Sequence, residues 1–294
     1  MLCIEINQKQ DNQKNYNMLI IIGHVSYDEI VNASGEQSII PSGAGYTGAL
    51  GASMIQKDVG LVSQIGTDYD MSHLARLGID LTGVNQRADG LTTRFYLNYR
   101  YNDPLKRDFE AQFNVGSDIS PVDIPVHYVE SASHVHLATM PPEQQEPFIH
   151  FFRNHSPSTN ISIDTIEQFI HQNPKQVMEN FIQCDTIFVD RREIAMLPPS
   201  LIQDREIILK LGGEGALYMN GAQRIQVPTR FIENITDKTS SGDILAGVFL
   251  ANRAKGLDPE LNLRIGCEIA TKSIEAFGVD HLLKETYRPW QERV

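Results

Sequence analysis

The chain has 294 residues, 41% of them hydrophobic and 21% charged, with a formal net charge of −12. That length suits one α/β domain with a small appendage, large enough to bury its core without disulfides or a structural metal. The acidity argues against nucleic-acid or anionic-membrane partners but not against a nucleotide, which a local nest of backbone N–H groups can hold, and no apolar run approaches the ~20 residues that span a bilayer.

Residues 1–17 are rich in Gln and Asn and lack a basic start followed by an apolar stretch. They read as a mobile tail rather than a secretory signal, with Met18 as an alternative natural start. Leu19–Gly23, a short apolar run ending in glycine, predicts a buried parallel strand opening on an active edge. Residues 29–41 alternate around a Ser34-Gly35 turn and predict a hairpin. Gly43-Ala44-Gly45 opens a small-residue helix to about Gln56, and Val59–Ile65 predicts a second strand. Residues 91–116 mix β-branched, aromatic and polar positions, which places them in a small β appendage outside the main sheet. That appendage is either an ordinary edge hairpin or a cover over a substrate.

From His134 onward, strands at His134–Leu137, Ile161–Asp164, Thr186–Val189 and Glu206–Leu211 alternate with helical patterns at 143–154 and 166–182. Such alternation predicts a parallel sheet with helices on both faces. Short strands at 216–219 and 224–228 and helices at 242–255 and 259–276 close the chain. His134 and His136 lie within a strand and read as structural. Cys3, Cys184 and Cys267 are odd in number and form no CxxC pair. Free thiols in a reducing cytoplasm account for them, and a zinc site does not.

Four segments carry candidate chemistry. Asp237-Lys238-Thr239-Ser240-Ser241-Gly242-Asp243 is a small-residue turn feeding a helix, whose free N–H groups and dipole favour an anion. Asp243 is placed to take a hydroxyl proton in front of that nest, and the dipole is expected to keep it ionised at neutral pH; a plain N-capped helix is the simpler reading. Lys210-Leu211-Gly212-Gly213-Glu214-Gly215 follows a strand end, where open parallel sheets bind ligands, although a bare hairpin turn has the same composition. Asp190 and Glu193 share one face of a helix start and suit Mg²⁺ held through water, or simply cap the helix; Asp164 ends the preceding strand and points the same way. Asp28, just past the first strand, and the Ser42-Gly43-Ala44-Gly45-Tyr46 loop suit substrate hydroxyls and a close backbone approach. No GxGxxG joins the first strand to a helix, which speaks against a dinucleotide site.

In this order, over about residues 18–280, the segments resemble the ribokinase-like carbohydrate kinases, the PfkB family, whose pattern D-T-x-G-A-G-D is similar to Asp237–Asp243. The resemblance implies a three-layer α/β sandwich with a small β lid at about 29–41 and 92–116, ATP and Mg²⁺ as cofactors, a small polar substrate and lids that often pair in dimers. It implies Asp243 as general base and an anion hole of Ser240, Ser241 and Gly242. Asp28, Ser42, Gly43 and Tyr46 fall to the substrate, with Arg94 and Arg107 as matching arginines of the lid. Lys210, Gly212, Gly215 and Asp237 fall to the nucleotide side, and Asp190 with Glu193 to the metal. Departures are Ser240 and Ser241 for Gly and Ala, Ser42 for a substrate-loop Gly, Asp190 for Asn, Lys238 for a small residue and Lys210 for Thr. A sugar, sugar-acid or cyclitol kinase is the leading expectation; a nucleoside kinase, with Tyr46 or Tyr96 stacking on a base, and a catalytically weak binding homologue are the alternatives.

Overall fold

A computed structural model of the chain describes residues 17–99 and 108–284. Among the described residues thirteen strands build two sheets. In chain order they are β1 (Met18–Ile22), β2 (Ser26–Val31), β3 (Gln37–Ser42), β4 (Val59–Gly66), β5 (Asp80–Arg87), β6 (Thr93–Asn98), β7 (Asp108–Gln112), β8 (Ala132–Leu137), β9 (Asn160–Asp164), β10 (Thr186–Asp190), β11 (Glu206–Lys210), β12 (Ala216–Asn220) and β13 (Gln223–Val227). The main sheet has nine strands in the order β13-β12-β11-β10-β9-β8-β1-β4-β5. Only its β11-β12-β13 edge pairs antiparallel. The strand expected at 134–137 and those that follow it all belong to this sheet, as does β5, which the sequence reading missed.

The second sheet, β3-β2-β6-β7, stands apart and joins residues 26–42 to 93–112. Its β2-β6 pair is parallel and its outer pairs are antiparallel. Asp28, just past β1, therefore lies within β2. Residues 100–107 of the predicted lid, Arg107 among them, lie outside the described residues, as do residues 1–16 of the predicted tail.

The continuous apolar runs of β1, β4 and β8–β11 divide by the period of two. Leu19 and Ile21 enter one core with the helices Ala44–Ser53, Ser241–Ala254 and Pro259–Ser273. Ile20 and Ile22 enter the other, with the helices Pro142–His155 and Pro174–Gln183. The helix expected over 166–182 is two pieces, Glu167–Gln172 and Pro174–Gln183. Pro174 cannot continue the first helix but suits the first turn of the second, where the Asn173 side chain accepts from Gln176 N at 3.2 Å.

The small residues of Ala44–Ser53 have a packing reason. This helix is buried along nearly its whole length and crosses Ser241–Ala254 at glycine contacts. A methyl group on Gly247 would lie 2.0 Å from the Gly48 carbonyl oxygen. The approach fixes the helix that carries Asp243 against the one that follows Gly43.

Candidate active site

Parallel register brings the charged strand ends together. Asp190 is the register partner of Lys210, and Phe188 that of Asp164. Period two puts Asp164, Asp190 and Lys210 on the face that packs the helix Ser241–Ala254, the face of Phe188 and Ile208. They stand at the carboxyl ends of β9, β10 and β11, where open parallel sheets bind ligands. The lid sheet rises beside them and the N-terminus of Ser241–Ala254 points between. The result is a cavity of about 410 Å³ lined by Asp28, Ser42, Gly43, Asp190, Glu193, Lys210, Gly212 and Ser240–Asp243, among others.

At the helix start Ser240 holds φ 68°, the left-handed region, without a capping bond from its side chain. A side chain there costs on the order of 1 kcal/mol. Its hydroxyl lies 3.3 Å from that of Ser42, so two serines at family glycine positions meet. Asp243, one turn on, accepts from Thr47 Oγ1 at 3.3 Å, a hydroxyl shared with the Gly43 carbonyl at 3.0 Å. Burial and then the neighbouring Asp164 push the Asp243 carboxyl up to about 7, with Lys210 and Thr47 opposing. The expectation of an ionised Asp243 at neutral pH is corrected accordingly: desolvation and Asp164 outweigh Lys210 and Thr47, which leaves the group half-protonated near pH 7.

Asp28 is buried and accepts from Ser26 Oγ at 2.5 Å. Asp190 and Glu193 form a reciprocal cap on the short helix Arg191–Ala195. Asp190 Oδ1 accepts from the Arg192 and Glu193 N–H groups at 2.8 and 2.9 Å, and Glu193 Oε2 from Asp190 N at 2.6 Å. Each carboxylate spends one oxygen on the cap, and both residues still line the cavity. Burial raises Glu193 to about 7. No group of three or more side chains able to hold a metal ion occurs among the described residues. The pair therefore suits a cation held through water and not a closed shell of direct ligands.

Several expected residues stand elsewhere. Tyr46 is fully buried and donates to Asp280 at 2.8 Å, so it meets the core and not the cavity. Arg94 is the register partner of Tyr27, on the opposite face of the lid from Asp28 and Phe95. It pairs with Asp68 at 3.3 Å and lies over the Tyr27 ring. Gly215, at φ 94°, closes the turn before β12, where a Cβ would come within 1.9 Å of the Val227 carbonyl. Asp237 is buried and braces its own loop, accepting from Thr239 N at 2.8 Å and Gly278 N at 3.2 Å. His134 and His136 sit within β8, and the His136 ring pairs with Ser162.

The sequence reading did not single out the aromatic wall. Phe95, Leu97, Phe109 and Phe113 line the cavity beside Asp28, and His24 packs against Phe113 at 5.0 Å between ring centroids. Alternation was the signal for the strand positions: 95 and 97 fall on one face, and Phe109 is the register partner of Leu97, whereas Phe113 follows the end of β7. The resemblance placed Thr47, with Tyr46, only near a substrate-loop Asn; its contact with Asp243 comes from the helix crossing.

Residues 16–286 match the family described as pfkB family carbohydrate kinase. A cytidine kinase of Thermococcus kodakarensis is 27% identical over 276 residues, covering 88% of this chain and 97% of that protein. Ribokinase of Cryptococcus neoformans, solved with ADP, superposes with a TM-score of 0.79 at 17% identity over 95% of this chain and 100% of that one. A nucleoside kinase of Methanocaldococcus jannaschii gives 0.74 at 18%, over 90% and 93%.

Proposed function

Because the chain belongs to the pfkB family of carbohydrate kinases, we propose that it transfers the γ-phosphoryl group of ATP to a hydroxyl of a sugar or nucleoside, with Asp243 as the general base. One observation carries this reading: a half-buried carboxylate stands at an open helix N-terminus within a cavity whose other wall holds Asp28. Phosphoryl transfer asks the protein for little else than positioning, a proton acceptor and donors for the moving charge. Asp28 accepts hydrogen bonds from acceptor hydroxyls. The N–H groups of Ser241, Gly242 and Asp243 receive the charge on the phosphoryl oxygens. Asp243 takes the acceptor proton. Asp190 and Glu193 would hold Mg²⁺ through water, and the ion would neutralise phosphate charge when bound.

The phenylalanine wall favours a nucleoside among the acceptors. Flat apolar rings beside Asp28 suit a base next to its sugar, whereas a free sugar presents hydroxyls on every side. The cytidine kinase of Thermococcus kodakarensis supports the same choice. The test is a screen for acceptor-dependent ADP formation from Mg-ATP across nucleosides, sugars, sugar acids and cyclitols. Turnover on nucleosides alone supports the second reading, and turnover on free sugars alone removes it. Binding of ATP with no acceptor phosphorylated would leave a ligand-binding protein of this fold.

A further inference from the structure

The densest charge cluster of the site surrounds Lys210, which stands where the family pattern has threonine. Its Nζ lies 2.8 Å from both carboxylate oxygens of Asp164, a fully buried side chain at the end of β9. Its stem runs over the first turn of Ser241–Ala254: a methyl group on Gly242 would come within 3.2 Å of Lys210 Cδ and 3.6 Å of Nζ. The side chain keeps 20% of its surface exposed and lines the cavity. A helix N-terminus is a poor place for a cation, because both ends of that contact are positive. Neutralising Asp164 does not require the stem to lie there. The ammonium and the free N–H groups converge on one small volume, an arrangement that becomes favourable when an anion enters it. The other cavity cations are placed differently: Arg191 and Arg192 form exposed pairs with Glu214 and Glu167, and Lys238 lies over the Tyr99 ring.

We propose that Lys210 is a catalytic residue whose ammonium, held by Asp164, contacts the oxygens of the γ-phosphoryl group during its transfer, and that Asp164 is its positioning residue. The assignment rests on the phosphoryl-transfer reading above. In the transfer the bond between the γ-phosphorus and the bridging oxygen breaks, and its electron pair leaves with ADP. The acceptor oxygen bonds to the phosphorus, and its proton passes to Asp243. Lys210 stays protonated throughout. Burial alone would favour losing that proton, but Asp164 and Glu193, with Asp243 behind them, raise the ammonium above its ordinary value.

The test compares wild type with Lys210→Met and with the double variant Lys210→Met/Asp164→Asn, which avoids leaving a buried carboxylate unpaired. The first readout needs no acceptor: affinity for MgADP with and without aluminium fluoride, a mimic of the moving phosphoryl. The double variant should unfold cooperatively and bind MgADP within about threefold of wild type, but lose at least about tenfold of the tightening that aluminium fluoride gives. With a working acceptor, kcat should fall by about 10²-fold or more while KM for ATP changes little. Asp164→Asn alone should lower kcat less than Lys210→Met, with KM for ATP again little changed. A double variant that keeps the aluminium fluoride tightening and a near-wild-type kcat overturns the assignment and leaves Lys210 as a counter-ion. If wild type itself neither tightens nor turns over, the phosphoryl-transfer reading falls and the assignment falls with it.

Discussion

Replacing Asp243 by Asn tests two consequences of one burial. The carboxyl is held at about 7, against an ordinary 3.8, first by desolvation and then by Asp164. Between those values the folded protein keeps a proton that the unfolded chain has released. The contribution of this group to wild-type stability therefore falls by about 1.4 kcal/mol per pH unit through that window and levels off above it. Over the whole window the loss from this group is about 4 kcal/mol. Asn, similar in shape and uncharged, carries none of it. Urea unfolding from pH 4 to 9 should show the variant gaining on wild type up to about pH 7 and running parallel beyond. The same change removes the proton acceptor, so kcat should drop by about 10²–10⁴-fold while MgADP still binds the untouched backbone N–H groups. In wild type, kcat/KM should rise about tenfold per pH unit below 7 and flatten above, since the base acts only when ionised. A stability difference that is flat across pH, together with near-wild-type turnover, would refute both the buried charge and its role.

Asp28→Ala should raise the acceptor KM by about 10–100-fold, the cost of one charged hydrogen bond, and leave ADP affinity within about twofold; equal losses for both ligands would make Asp28 a structural residue. Glu193→Gln keeps an oxygen for the Asp190 N–H, so the cap survives while the charge goes. The Mg²⁺ concentration for half-maximal activity should rise several-fold, and no change would reduce the pair to capping. Gly247→Ala forces a methyl group against the Gly48 carbonyl; it should destabilise by about 1–3 kcal/mol, read as a lower urea midpoint. A wild-type midpoint would mean that the two helices are free to part.

Strand ends were legible in the sequence because a buried parallel strand is a short apolar run and its first polar residue marks the site edge. Asp164, Asp190 and Lys210 each end such a run, and the sheet gathers them. The turn Asp237–Asp243 was legible because small residues before an apolar helix have few other uses. The missing edge strand β5 was not, since its pattern in Asp80–Arg87 is mostly polar and half-exposed. Side-chain direction in the lid failed for a different reason. Arg94 and Phe95 are neighbours on opposite faces, and the face that meets the cavity depends on register with β2, which spans about seventy residues of chain. Tyr46 was misplaced for want of its partner: nothing near it in sequence announces Asp280.

The acidity of the site has its own logic. Buried Asp164 and Glu193 and half-buried Asp243 surround one ammonium, with buried Asp28 across the cavity, and desolvation raises Glu193 and Asp243 to about 7. Carboxylates crowded in this way repel one another and lose hydration, a cost that a purely structural core would shed by substitution with apolar residues. The conflict persists at the end of a sheet, on the helix N-terminus where the chain also accepts the left-handed Ser240. Local rules broken together at one place, and obeyed across the two cores on either face of the sheet, are what a site selected for chemistry leaves behind. The same crowding gives Asp243 a proton affinity suited to its proposed task. A carboxylate near 3.8 would be a weak base toward an alcohol, whereas one near 7 accepts the proton more readily and is still half-ionised at neutral pH.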